Sequence, residues 1–257
     1  MWYNIKAMKG ENCFAKGKER KMDWLHRERM LIGDEAVGKL QSASVLVFGV
    51  GGVGGYVVEG LVRAGIGKLS LVDNDTISET NLNRQIIADR TTIGKSKVEV
   101  MQARIKSINP DCGVKIFETF ADAQNTGKII EEAAPDFIVD AIDTVTTKIE
   151  IIKCAKARDI RVISSMGTGS KLDPTRFRVV DISKTHTDPL AKVMRLKLRE
   201  AGINHVEVLF SDELPVKNSM ASELEGKVTR HIPGSISFVP PSAGLVIAAQ
   251  VVKELIG

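Results

Sequence analysis

The apolar run Ser44-Val45-Leu46-Val47-Phe48 passes directly into Gly49-Val50-Gly51-Gly52-Val53-Gly54-Gly55, and no other feature of this 257-residue chain restricts its fold so tightly. A run without polar alternation suits a strand buried on both faces, as in a parallel sheet covered by helices. Glycines after such a strand permit a tight turn, and the helix expected next, roughly Val53 to Ala64, would aim its first amides at an anionic group. Leu69-Ser70-Leu71-Val72 reads as the following strand and ends at Asp73, where a carboxylate can accept both hydroxyls of a ribose. Strand, glycine spacing and acid together indicate a Rossmann-like nucleotide-binding unit. No Gly-Lys-Ser/Thr follows the glycines, so the loop is not a P-loop.

The alternation continues. Helices are expected over Lys95 to Ile108, Asn125 to Ala134 and Val145 to Ala157, and strands over Val114 to Phe117, Phe137 to Ile142 and Val162 to Ser164. Strands and helices in this order make an α/β, doubly wound, mostly parallel sheet. After Gly169 the rhythm breaks into Arg176 to Asp181, a charged helix from Pro189 to Ala201, a strand Val206 to Phe210 and a polar loop to Arg230. This stretch is expected to be an appended crossover lobe, closed by a final helix from Pro240 to Ile256 with Ser242 near its N-cap. The domain reading is a single unit over 22–257, with a nucleotide-binding part at about 44–168 and a substrate lobe at about 169–257.

Residues 1–21 show no apolar periodicity, and Lys16-Gly17-Lys18-Glu19-Arg20-Lys21 is built from residues that purine-rich codons encode, as a ribosome-binding site translated in frame would be. Met22 is therefore the expected natural start, and 1–21 a disordered or non-native extension. The formal net charge of +4 resides in the first 30 residues, so it argues for no particular partner. Two local basic clusters remain, one from Lys148 to Arg161 and one comprising Lys184, Lys192, Arg195, Lys197 and Arg199. Each also contains acids, and a solvated helix face is the expected reading of either ahead of nucleic-acid contact.

No apolar run reaches the length of a membrane span, and the N-terminus lacks a signal-peptide core. The three cysteines, Cys13, Cys112 and Cys154, form no CxxC pair, which leaves neither a zinc site nor a disulfide framework and points to a reducing, cytoplasmic setting. Cys154 falls in the middle of a helix, where a small buried thiol is the simpler reading.

Which nucleotide binds depends on residues beyond Asp73. Asn81, Arg84 and Gln85 bring a cation and two amides past the ribose acid, Lys97 opens the following helix, and Asp143 ends a strand at the crevice where such sheets bind ligands. Charged donors suit a triphosphate better than a nicotinamide, and a hard carboxylate suits Mg2+. An NAD-dependent dehydrogenase would share the glycines and Asp73 but not Arg84, Lys97 and Asp143. A catalytically silent nucleotide sensor stays open on the residues alone.

On these residues the chain resembles the ATP-dependent adenylating enzymes related to ThiF, MoeB and the ubiquitin-activating enzymes. The resemblance implies that Gly49, Gly51, Gly52 and Gly54 form the nucleotide loop and Asp73 holds the ribose. It further implies that Asn81, Arg84, Gln85 and Lys97 contact phosphates and that Asp143 holds magnesium. Arg29, within Arg27-Glu28-Arg29-Met30-Leu31-Ile32, is similar to the arginine finger that reaches the ATP of a neighbouring subunit, which implies a homodimer with composite sites.

Val139-Asp140-Ala141-Ile142-Asp143, Leu172-Asp173-Pro174-Thr175, Ser183-Lys184-Thr185 and Asp188-Pro189-Leu190-Ala191 are most similar to the branch that dehydrates threonylcarbamoyladenosine in tRNA. So are Phe210-Ser211, Pro233-Gly234-Ser235 and the Pro240 to Gly244 stretch. That branch implies ATP and Mg2+ as cofactors, tRNA as substrate held near Lys184 to Arg199, and a cysteine desulfurase or sulfur acceptor as a further partner. The alternative is an activating enzyme for a sulfur-carrier or ubiquitin-like protein. Such enzymes commonly need a thiol in the crossover region, and this chain has no cysteine after Cys154. Where some relatives carry a cysteine before the Phe-Ser pair, Val208-Leu209 stands here, so a relay through that position is not open to it.

Overall fold

The structure is a computed structural model that describes residues 23–216 and 233–257; the extension expected over 1–21 and much of the polar loop before Arg230 lie outside the described residues. The first half runs α1 (His26–Ser42), β1 (Ser44–Phe48), α2 (Gly54–Arg63), β2 (Lys68–Val72), α3 (Lys97–Ile108), β3 (Gly113–Phe117), α4 (Thr126–Ala133) and β4 (Phe137–Asp140). The second half runs α5 (Val145–Ala157), β5 (Arg161–Ser165), β6 (Phe177–Asp181), α6 (Pro189–Glu200), β7 (Glu207–Ser211) and α7 (Val239–Ile256). All seven strands share one sheet in the order β3-β2-β1-β4-β5-β7-β6, parallel throughout except for β6.

Every residue of β1 is buried, as its unbroken apolar run requires. Its alternate side chains enter two separate cores. Val45 and Val47 pack with Leu61 of α2, Met101 of α3 and Ile247 of α7. Leu46 and Phe48 pack on the other face with Ile130 of α4, Ile152 of α5 and Met194 of α6. Helices on both faces make the doubly wound architecture expected from the sequence. Truncating a side chain such as Phe48, which is fully buried, removes about 3–5 kcal/mol from a core packed this way.

Three details differ from expectation. The segment after Gly169 extends the same sheet, and β6 lies antiparallel at its edge, with Phe177 opposite Ser211 and Asp181 opposite Glu207. Strand direction follows from where the chain returns, which period-2 patterning does not encode.

Ser242 does not cap α7. Its hydroxyl donates to the Phe238 carbonyl at 2.7 Å from inside the first turn. Pro240 and Pro241 occupy that turn, so two of the amides a cap would satisfy do not exist.

Finally, α7 is long and apolar enough to cross a membrane by length and composition, contrary to the sequence estimate. The fold uses it as a core helix, with Val239, Ala243, Ile247 and Val251 fully buried beside α2.

Candidate active site

The turn between β1 and α2 depends on glycine at two points. Gly49 has φ +87°, and a Cβ on Gly54 would lie 1.8 Å from the Gly49 carbonyl oxygen. Gly54 therefore lets α2 seat against the end of β1 and does not line a cavity. Gly49, Gly51 and Gly52 do line one, a hollow of about 420 Å³ at the carboxyl ends of β1, β2 and β4, which is where ligands of open α/β sheets bind. Asp73, Arg84, Gln85, Lys97 and Asp143 share its wall.

Asp73 is fixed by two amides: Oδ2 accepts from Val50 at 2.7 Å and Oδ1 from Asp75 at 2.9 Å. A carboxylate offers about four lone pairs, so both oxygens retain capacity for ribose hydroxyls. Lys97 is 6% exposed, donates to Asp75 Oδ2 at 2.7 Å and stands 3.9 Å from Asp73 Oδ1.

Arg84 donates to the Thr80 carbonyl and to Asn83 Oδ1, both at 2.9 Å. Gln85 is buried at the cavity wall, and its Oε1 has no hydrogen-bond partner.

Asn81, expected on the phosphates, is not among the lining residues. Its Oδ1 accepts from the Ser78 amide at 3.0 Å, closing a capping box on the 3-10 turn Glu79–Asn81. Arg29 also lies outside the cavity of its own chain, pairing with Asp23 at 3.1 Å and Asp34 at 3.5 Å. The hydrogen bond it donates to the Asp23 carboxylate holds its guanidinium above its ordinary pKa.

Asp143 is exposed on the cavity wall, with Oδ1 accepting from Thr144 at 3.3 Å. Among the described residues no three His, Cys, Asp or Glu side chains gather to hold a metal by themselves. A lone carboxylate beside a triphosphate suits Mg2+, which binds through one or two carboxylates plus phosphate oxygens and water.

A second hollow, of about 330 Å³, adjoins the first and shares Gly52, Arg84, Ala141, Ile142 and Asp143 with it. Its far wall is Ser165 to Gly169, Leu190 and Pro233 to Ser235. The N-terminus of α6 abuts it, where Asp188 Oδ1 accepts from the Ala191 amide at 2.9 Å and Lys171 stands 3.8 Å from Oδ2. Sequence reasoning missed this acceptor cavity because its walls come from segments far apart in the chain. It also missed Asp75, the partner of Lys97, and Phe120, which is 53% exposed against the nucleotide cavity.

The two basic clusters resolve differently. Lys184, Lys192, Lys197 and Arg199 are exposed on α6 and the turn before it. Arg195 is half-buried and donates to the Thr185 carbonyl at 2.9 Å, so it clamps that turn. In the other cluster Lys148 is fully buried, Arg158 donates to the Cys154 and Gly127 carbonyls, and Arg161 binds the Glu254 carbonyl. Lys148 is thus withdrawn from the surface, while Lys153 and Lys156 stay exposed on α5. Burial pushes the thiols of Cys112 and Cys154 above their ordinary pKa, which suits neither to nucleophilic relay.

Fold and site define a class: a doubly wound nucleotide-binding enzyme with a second hollow beside the nucleotide cavity. More particularly, the chain belongs to the ThiF family, whose model matches residues 25–257. It is 43% identical over 238 residues to the tRNA threonylcarbamoyladenosine dehydratase of Bacillus subtilis, covering 90% of this chain and 93% of that one. Identity to the Escherichia coli protein of the same name is 32%, covering 88% and 90%. The E. coli enzyme TcdA crystallised with ATP superposes with a TM-score of 0.79 at 32% identity, covering 89% of this chain and 91% of that one.

Proposed function

We propose that this chain is an ATP-dependent tRNA threonylcarbamoyladenosine dehydratase, which activates the threonyl carboxylate by adenylation and closes it into the cyclic nucleoside. The observation that carries this reading is the wall common to the two cavities. Arg84 and Asp143 border both, so a carboxylate in the acceptor hollow lies against the nucleotide site. The similarity to the B. subtilis dehydratase, which spans nearly the whole chain, supplies the acceptor's identity.

Asp73 holds the ribose, and the Gly49 to Gly52 amides and Lys97 receive the phosphates. One carboxylate oxygen of the threonylcarbamoyl group attacks the α-phosphorus, the bond to the bridging oxygen breaks, and pyrophosphate leaves. Arg84 and Lys97, fixed in advance by their own hydrogen bonds, stabilise the charge that builds in this step. A magnesium ion held by Asp143 and the phosphates would neutralise charge on the departing pyrophosphate. A nucleophilic atom of the carbamoyl group then displaces AMP from the acyl adenylate, and the nucleoside has lost one water. The chain needs no thiol for this, in keeping with the raised thiols of Cys112 and Cys154.

The reading includes a homodimer in which Arg29 of each protomer enters the other's nucleotide cavity. Supporting it, Arg29 is not among the residues lining its own cavity and is followed by Met30 and Leu31, 77% and 84% exposed on α1. The tRNA lies along Lys184, Lys192, Lys197 and Arg199, because Leu190 of the same helix lines the acceptor cavity. A cytoplasmic location, where tRNA resides, completes the reading; a cysteine desulfurase partner finds no suitable thiol among the described residues. Nucleoside mass spectrometry of modified tRNA incubated with the protein tests the activity: an ATP-dependent loss of one water is expected, and an unchanged nucleoside with ATP bound would overturn it.

A further inference from the structure

The chemistry above leaves unused the most deeply buried charges among the described residues. Lys148 and Asp140 are both 0% exposed, with Nζ 3.0 Å from Asp140 Oδ2. Lys148 also donates to the Ile142 carbonyl at 3.0 Å, and the Ile142 amide donates to Asp140 Oδ1 at 3.4 Å. The Ser164 hydroxyl, from the neighbouring strand, donates to Asp140 Oδ2 at 2.6 Å. Both backbone groups of Ile142 are therefore gripped from beneath. Ile142 is the centre of the wall between the cavities, and the next residue is Asp143. One position earlier on α5, Thr147 donates to the Ala121 carbonyl at 3.0 Å and so ties down the loop that carries Phe120.

A buried ion pair is a poor source of stability, since apolar residues of similar volume often replace one without loss. It is well suited to holding a backbone turn in one position, because each charge must keep its partner. We propose that Lys148 is a positioning residue for adenylation: with Asp140 and Ser164 it fixes the Ala141 to Thr144 turn so that Asp143 faces the triphosphate. Lys148 touches neither nucleotide nor acceptor; it acts through Ile142. The inference rests on the adenylation reading of the nucleotide cavity and not on what the acceptor is.

The test is the double variant Asp140→Asn with Lys148→Met, which removes both charges together and strands neither in the core. Calorimetry on the full chain measures ATP affinity with and without Mg2+, and single-turnover kinetics on modified tRNA follow. The expected result is a thermal midpoint near that of the parent and loss of most of the strengthening of ATP binding by Mg2+. With it comes a fall in kcat of about 100-fold, because a displacement of roughly 1 Å at a reacting centre has that effect, while KM for tRNA changes by no more than about threefold.

Ser164→Ala leaves the ion pair intact and secures the test should the double variant not fold. It should show the same pattern at about tenfold, the lower end expected for one hydrogen bond to a charged group. Parental Mg2+ dependence and kcat in either folded variant would overturn the proposal, as would a raised KM with kcat intact. If the parent chain left tRNA unchanged while the variants lost their Mg2+ dependence, the dehydratase reading would fall and the role of Lys148 would stand.

Discussion

On the nucleotide side of the Ala141 to Thr144 wall, charged groups are already held by one another: Asp73 by the Val50 and Asp75 amides, and Lys97 by Asp75. On the acceptor side the lining is glycine, proline and small polar residues with Met166 and Leu190, and the charges there are those of the shared wall, Arg84 and Asp143. The contrast teaches a division of labour. Nucleotide and leaving group are polyanions whose charge moves during the reaction, so fixed donors lower the barrier. On the proposed reading the acceptor is selected by shape, with a few polar groups to orient it.

If that division is right, the largest effects should follow loss of charge on the nucleotide side. Asp143→Ala and Lys97→Ala should each lower turnover about 10²–10³-fold, the scale of a lost transition-state contact, with tRNA affinity unchanged in filter binding. A variant that lost tRNA binding in step with turnover would break the comparison.

Crowding the acceptor side should act differently. A Cβ on Gly169 would lie 2.7 Å from the Pro233 Cβ and 2.9 Å from its Cγ. Gly169→Ala should therefore raise KM for modified tRNA about tenfold, as one methyl-sized change in a pocket does, with ATP affinity intact by calorimetry.

Further out, replacing Lys192, Lys197 and Arg199 together by Gln should weaken tRNA binding for all sequences and reduce the salt slope of log K by about 2–3, near one unit per lost phosphate contact. Arg195→Gln should instead lower thermal stability, because Arg195 holds the turn at Thr185.

The smallest effect lies away from both cavities. Burial alone would raise the Glu59 carboxyl, but hydrogen bonds from Arg104 and Arg63 outweigh it and hold the group below its usual value of 4.5. A depressed folded pKa adds stability above about pH 4.5 that disappears as pH falls through the lower value. Glu59→Gln should thus cost about 1 kcal/mol at neutral pH and progressively less below pH 4, read from thermal melts, with turnover unchanged.

The same contrast explains what was legible in the sequence. Gly49 to Gly54, Asp73 and Lys97 follow one another at spacings fixed by a single strand-turn-helix unit and the strand beside it, so local pattern places them. Asn81 satisfies the same pattern, yet its side chain closes its own turn, a choice decided by Ser78. Lys148 reads as part of a solvated basic face because charge in a sequence carries no sign of burial; its partners are Asp140 on β4 and the Ile142 carbonyl just beyond it. The acceptor cavity was invisible for a related reason, since Ser165 to Gly169, Leu190 and Pro233 to Ser235 meet only through the crossover that inserts β7 between β5 and β6.

The measurement that tests the account most directly is the fate of carboxylate oxygen. With tRNA whose threonylcarbamoyl group carries 18O in both carboxylate positions, attack on the α-phosphorus and displacement of AMP must leave one 18O in the AMP and one in the cyclic nucleoside. Mass spectrometry of the released nucleotide should show singly labelled AMP in amounts equal to the dehydrated nucleoside. Unlabelled AMP, or ADP with label in inorganic phosphate, would contradict adenylation across the Ala141 to Thr144 wall.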